Sequence, residues 1–286
     1  MRWWIYQKER FPLLANGLLV AAFSGCALLY SAQLSTGDLP SMQMFLVSFP
    51  ICLLFFLQLR IADEFKDFEE DSTYRPYRPV PRGLIQLKEL AWLFIACATI
   101  QLGLALWLSP LLIWILFIAW SYLALMSVEF FARDWLKKRP ITYLWTHMLI
   151  MPIIDLFATA CYWLPEAMPS GLKWFLAASF TNGLVIEIGR KIRNRDQEEE
   201  GVPTYSKLWG IKNASYVWLG CLLATALFAT LAAYRTGTST LTAIILVTAI
   251  TLFTVVQKPG KTIETLSGLW TLLLYLTLGI LPLLIK

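Results

Sequence analysis

Residues 41–60 read S-M-Q-M-F-L-V-S-F-P-I-C-L-L-F-F-L-Q-L-R, and residues 60–85 read R-I-A-D-E-F-K-D-F-E-E-D-S-T-Y-R-P-Y-R-P-V-P-R-G-L-I. The first stretch stays uncharged until Arg60, over the length of roughly 20 apolar residues that a helix needs to cross a bilayer core. The second crowds carboxylates, guanidiniums and prolines together. An apolar run that stops abruptly at a charged loop reads as a membrane span reaching the membrane surface. Such a span must be helical, because lipid offers no partner to exposed N–H and C=O groups.

The same alternation recurs along the chain. Apolar segments at 12–33, 41–60, 85–107, 109–130, 141–163, 170–189, 213–234, 239–257 and 263–285 predict about nine transmembrane helices. Composition agrees: 58% of the 286 residues are hydrophobic and 15% charged, against about 25% charged in a soluble domain. The expected fold is all-α, a polytopic integral membrane protein with its helices around a central apolar cavity. No linker or low-complexity stretch divides it, so residues 1–286 are expected to form a single domain. No cleavable signal is expected, because the first apolar run is long and lacks a small-residue end.

Charge placement predicts orientation. With the N-terminus inside and sides alternating at each span, Lys173, Arg235 and Lys286 fall outside and every other Lys and Arg inside, Lys258 included. That asymmetry is the positive-inside pattern. It places the N-terminus and the long loops 60–88 and 187–212 in the cytoplasm, and it assigns the net charge of +5 to lipid headgroups and anionic substrates rather than nucleic acid. The five cysteines lie singly inside spans, and there is one histidine. Neither a disulfide framework nor a zinc site is indicated, and no obligate protein partner is evident.

Asp63, Asp67 and Asp71 stand at i, i+4 and i+8, one face of a helix, with Glu64 flanking. Like charges at that spacing repel by about 0.2–0.5 kcal/mol per pair, and a hard divalent cation such as Mg²⁺ would relieve them. Arg75, Arg78 and Arg82 follow among Pro76, Pro79 and Pro81, which stiffen the loop and stop the helix. Those guanidiniums can grip phosphate oxygens bidentately. The same pattern also suits a solvated, self-paired loop that only anchors topology.

These residues resemble the UbiA superfamily of intramembrane prenyltransferases, which includes UbiA-type terpene cyclases. The family motif N-D-x-x-D-x-x-x-D here reads Asp63-Glu64-x-x-Asp67-x-x-x-Asp71, with Asp63 standing where the family has Asn, followed by R-P-Y-R-P-V-P-R-G. The tail of the second family motif, D-x-x-x-D-x-x-x-G-x-x-[TS]-x-x-x-x-x-G, is matched by Gly201, Thr204 and Gly210, but Arg193 and Gln197 stand where its two aspartates belong. The resemblance implies Mg²⁺ as cofactor, an isoprenoid diphosphate substrate and membrane lipid as surroundings. It implies Asp63, Glu64, Asp67, Asp71, Glu187 and Asp196 as metal ligands, with Asp67, Asp71 and Glu187 catalytic. Arg78, Arg82, Lys138, Arg190 and Lys191 are expected on the diphosphate. Lys137 shares the position of Lys138, and both also read as plain interfacial charge. Glu129, His147 and Asp155 lie in or beside spans and suit either a proton acceptor or a satisfied interhelical hydrogen bond.

The implied chemistry is ionisation of an allylic diphosphate, then capture of the cation. Capture is either by a lipid-soluble acceptor, as in a prenyltransferase, or by the substrate's own double bonds, as in a terpene cyclase. The lost second aspartate pair bears on the acceptor and leaves that choice open. A non-enzymatic transporter is a third reading, opposed by acidic residues lying at span ends rather than at broken helices near mid-membrane.

Overall fold

The computed structural model describes residues 1–256 and 260–285. The expected inside charge Lys258 and outside charge Lys286 lie beyond them. The described residues are helical, with no strand among them. In chain order the helices are α1 (Arg2–Arg10), α2 (Leu13–Leu34), α3 (Met42–Lys66), α4 (Phe68–Tyr74), α5 (Leu87–Leu108), α6 (Leu112–Ser127), α7 (Arg133–Lys137), α8 (Pro140–Met148), α9 (Ile150–Trp163), α10 (Leu172–Arg190), α11 (Tyr205–Tyr234), α12 (Ser239–Val256), α13 (Lys261–Gly279) and α14 (Leu281–Ile285), with short 3₁₀ turns at Glu129–Phe131 and Arg195–Gln197.

Local chemistry sets several boundaries. Ser41 caps α3 by accepting from the Met44 amide, Gln86 and Glu89 form a capping box on α5, and Pro140 opens α8. Each device satisfies or removes an orphan N–H at a helix start.

Among the described residues, six stretches are long and apolar enough to span a bilayer: α2, α3, α5, α8 with α9, α11 and α12. The expected count of nine is therefore not reached by length and apolarity. The predicted spans 109–130, 170–189 and 263–285 fall on α6, which is 16 residues long, on α10, and on α13 with α14. Helices α10 and α13 bury polar side chains, including Asn182, Glu187, Ser267 and Thr271, which dilute their apolar runs.

The α8–α9 span is 61% buried, against 22% for α5 and for α12. It is thus central and they are peripheral. Helices α2, α9, α10 and α13 enclose an aromatic core in which Tyr30 stacks on Phe175 (4.8 Å) and Tyr275 lies 5.0 Å from Phe23. Large apolar side chains such as Trp114, Leu227 and Val255 stay exposed on the rim, as lipid-facing surfaces require. All long charged loops meet at one end of the bundle. There α1 packs on the ends of α3 and α5, with Tyr6 buried against Ile61, Val80, Ile85 and Leu90 and with ion pairs to Glu64 of α3, to Arg82 of the loop after α4 and to Glu89 of α5.

Candidate functional site

The first acidic loop is bent at the residue that matters most. Helix α3 stops at Lys66; Asp67 takes φ −95°, ψ 4°, and α4 begins at Phe68. Backbone bonds bridge the break, from Asp67 N–H to the Asp63 carbonyl (2.9 Å) and from Asp71 N–H to the Asp67 carbonyl (2.7 Å). The expected single helical face is therefore kinked at its middle carboxylate, and the acidic residues acquire different neighbours. Helix α4 ends at Tyr74, ahead of Pro76, where the residue before a proline leaves the helical region.

Asp71 is 1% exposed and sits between Arg75 Nη2 (2.5 Å) and Arg78 Nη1 (2.6 Å). Glu64, almost fully buried, is held by Arg10 Nε of α1. Asp63 makes only loose pairs, 3.6 Å to Arg60 and 3.4 Å to Lys66. Asp67 has no side-chain hydrogen bond or ion pair among the described residues. Burial pushes its carboxyl above the usual carboxylate range; Lys66 pulls against this, while Asp63 and Asp71 reinforce it.

On the second loop, Glu187 is buried at the end of α10 and takes Arg190 Nη2 on one oxygen (2.5 Å) and Lys191 Nζ on the other (2.8 Å). The i+3 and i+4 spacing puts both cations over it. Past the helix, Thr204 caps α11 through the Lys207 amide and donates to Glu198 (2.7 Å). Gly201 has φ +71°, and a Cβ there would stand 2.3 Å from the Tyr74 ring. Only a glycine permits both that backbone conformation and that approach. Tyr77 Oη adds a 3.1 Å hydrogen bond to Glu199. The two loops thus meet through Tyr74, Tyr77, Glu199 and Gly201.

Other expected residues sit apart. Arg82 pairs with Glu9 of α1 (2.9 Å), and Lys137 pairs with Glu70 (2.6 Å). Lys138 and Asp196 are exposed on the rim. Asp155 is fully buried within the bundle, accepting from Tyr275 Oη at 2.6 Å. His147 Nδ1 donates to the Tyr143 carbonyl (2.8 Å), and its Nε2 lies 3.3 Å from Glu129.

Sequence reasoning missed Lys66 and Tyr143. Lys66 Nζ donates to Tyr143 Oη (3.0 Å) and lies 3.6 Å from Glu129, which also accepts from Tyr143 (3.3 Å). Glu129 reaches them from a turn whose three residues Glu129, Phe130 and Phe131 all have φ between +53° and +57°. In sequence Lys66 reads as one more solvated charge, and nothing local pairs it with residue 143.

The donor set can be tested against a divalent cation. Asp67 and the loosely paired Asp63 are hard oxygen donors that suit Mg²⁺. Glu64, Asp71 and Glu187 are committed to protein cations, and among the described residues no three His, Cys, Asp or Glu side chains gather into a metal-sized cluster. The first loop therefore fits the metal in part, through Asp63 and Asp67.

Comparison with known proteins bears directly on this arrangement. The model of the UbiA prenyltransferase family matches residues 18–262. The chain belongs to that family. Its fold is similar to that of a UbiA homolog from Aeropyrum pernix K1 in its apo form, at 14% identity and a TM-score of 0.67 over 93% of this chain and 97% of that one. It is also similar to a structure described as digeranylgeranylglyceryl phosphate synthase, at 16% identity and a TM-score of 0.58 over 94% and 99% of the two chains. No curated protein sequence matches significantly. The UbiA assignment covers both charged loops, and it identifies the chain as an integral membrane protein of a prenyl-transferring family.

Proposed function

We propose that the chain ionises an allylic isoprenoid diphosphate in the presence of Mg²⁺ and transfers the prenyl group to a lipid-soluble acceptor. The observation that carries this reading is Asp67, an unpaired carboxylate at a mouth where two charged loops meet above an apolar aromatic core. Bound Mg²⁺ would neutralise charge on the departing diphosphate. Asp67 and Asp63 would hold it. Arg190 and Lys191 keep N–H donors beyond those given to Glu187 and can bind phosphate oxygens, stabilising charge as the C–O bond breaks. Arg75 and Arg78 fix Asp71 and with it the end of α4. The helix walls below exclude water from the allylic cation. The positive-inside asymmetry of the sequence supports a cytoplasmic position for this mouth.

A second reading, a UbiA-type terpene cyclase, is favoured by one feature: Arg193 and Gln197 occupy the positions of the second aspartate pair. Arg193 there pairs with Glu199 (3.6 Å), and Gln197 forms a capping box with Asn194. The test is incubation of purified protein with Mg²⁺ and farnesyl or geranylgeranyl diphosphate, with and without a prenyl acceptor. Diphosphate release that requires the acceptor supports the transferase. A cyclic hydrocarbon formed without acceptor supports the cyclase. Unchanged diphosphate release by both Asp67→Ala and Asp71→Ala rejects the two together.

A further inference from the structure

The two halves of the mouth are chemically unlike. The α3–α4 half offers Asp67, with no side-chain hydrogen bond or ion pair among the described residues, and Asp63 with loose ones. The α10 half offers one buried carboxylate, Glu187, both of whose oxygens are taken at 2.5 and 2.8 Å. Of the other acids of that loop, Glu198 accepts from Thr204 and Ser206, Glu199 accepts from Tyr77, and Asp196 and Glu200 are exposed on the surface, unlike the buried Glu187. Arg193, in place of an acid, adds a further cation.

We infer that the site takes a single divalent cation, held by the Asp63–Asp67 half, and that Arg190 and Lys191 form a metal-free subsite that binds the diphosphate directly. Glu187 is then a positioning residue rather than a metal ligand. A guanidinium has five N–H donors and an ammonium three; Glu187 takes one from each. The Arg190 side chain is 42% exposed while that of Glu187 is 9% exposed, so the carboxylate anchors the two cations and leaves N–H donors of each uncommitted. Tyr77 hydrogen-bonds to Glu199 and Gly201 packs on the Tyr74 ring, which brings the α10 loop against the metal-binding half. A fixed guanidinium–ammonium pair gives the diphosphate what a second metal would otherwise supply, charge neutralisation without reorganisation. Among the described residues the carboxylates of this half do not gather into the cluster of oxygen ligands that a second metal needs. The inference rests on the diphosphate reading above and specifies how the anion is held.

The test uses the full chain in detergent, with Mn²⁺ as the spectroscopic probe and a non-ionisable thio analogue of an allylic diphosphate. Electron paramagnetic resonance titration should count one Mn²⁺ per chain, lost in Asp67→Asn and retained in Glu187→Gln. The double variant Arg190→Gln with Lys191→Gln should keep that Mn²⁺ and bind the analogue at least tenfold more weakly. Two bound Mn²⁺ in the unmodified chain, or loss of Mn²⁺ in folded Glu187→Gln, overturns the inference and leaves the diphosphate reading standing. Binding of neither Mn²⁺ nor the analogue by the unmodified chain overturns both. The count on the unmodified chain does not depend on any variant folding.

Discussion

Replacing Glu64 with alanine should release the N-terminal helix and leave metal binding intact. The Glu64 side chain is 1% exposed and that of Arg10, its partner, 10%. Removing one member of a pair so buried costs about 3–5 kcal/mol, mostly from the charge left without a partner. Two other ion pairs hold α1, Arg2 with Glu89 and Glu9 with Arg82, but both are substantially exposed and each is worth at most about 1 kcal/mol. The strained state has an easy escape, since α1 can lift off and return Arg10 to water. The loss should therefore appear locally. Amide hydrogen exchange over residues 2–10 should accelerate by about two to three and a half powers of ten, at roughly 1.4 kcal/mol per decade. The double variant Glu64→Leu with Arg10→Met should recover most of the protection, because an apolar pair can replace a buried ionic one at little cost. Unchanged exchange at 2–10 together with weakened Mn²⁺ binding in Glu64→Ala would refute the reasoning and return Glu64 to the metal ligands.

Asp67→Asn should lower diphosphate release at least about 100-fold, as loss of several kcal/mol of charge stabilisation implies; its thermal unfolding should barely move, because Asp67 has no side-chain partner to lose. Gly201→Ala should strain the junction of the two loops by about 1–2 kcal/mol from its φ of +71° alone, with more from the Tyr74 ring, read as faster limited proteolysis between residues 193 and 203; Tyr74→Ala should relieve the clash and not the backbone term. Gly189→Ala places a Cβ 2.0 Å from Ser267 Oγ, which accepts from Trp218 Nε1 at 2.9 Å. Overpacking there should cost about 1–3 kcal/mol, measured as a lower unfolding midpoint in detergent. An unchanged midpoint would mean α10 and α13 are not packed this closely.

What was legible in the sequence and what was not divide along the range of the interactions. The apolar runs fixed the helices, because a bilayer leaves no alternative for such segments. Where a run carried buried polar residues, as on α10 and α13, its reading as a span was less complete. Glu187 with Arg190 and Lys191 was readable from i+3 and i+4 spacing. The pairing of Glu64 with Arg10 spans 54 positions and has no local signature. Helix α1 was missed for the same reason: its place is set by docking of Tyr6 against Ile61, Val80, Ile85 and Leu90, which are distant in sequence. The carboxylates of the first loop are nearly alike as letters and unlike as neighbours. Glu64 answers to α1, Asp71 to two arginines of its own loop, Asp63 weakly to Arg60 and Lys66, and Asp67, at the kink, makes no side-chain hydrogen bond or ion pair among the described residues. A metal ligand needs lone pairs not already committed to a protein cation, so the motif narrows the choice to a loop while tertiary pairing selects within it. On the proposed reading that selection singles out Asp67, and it is why the substitution of greatest consequence for chemistry should be among those of least consequence for the fold.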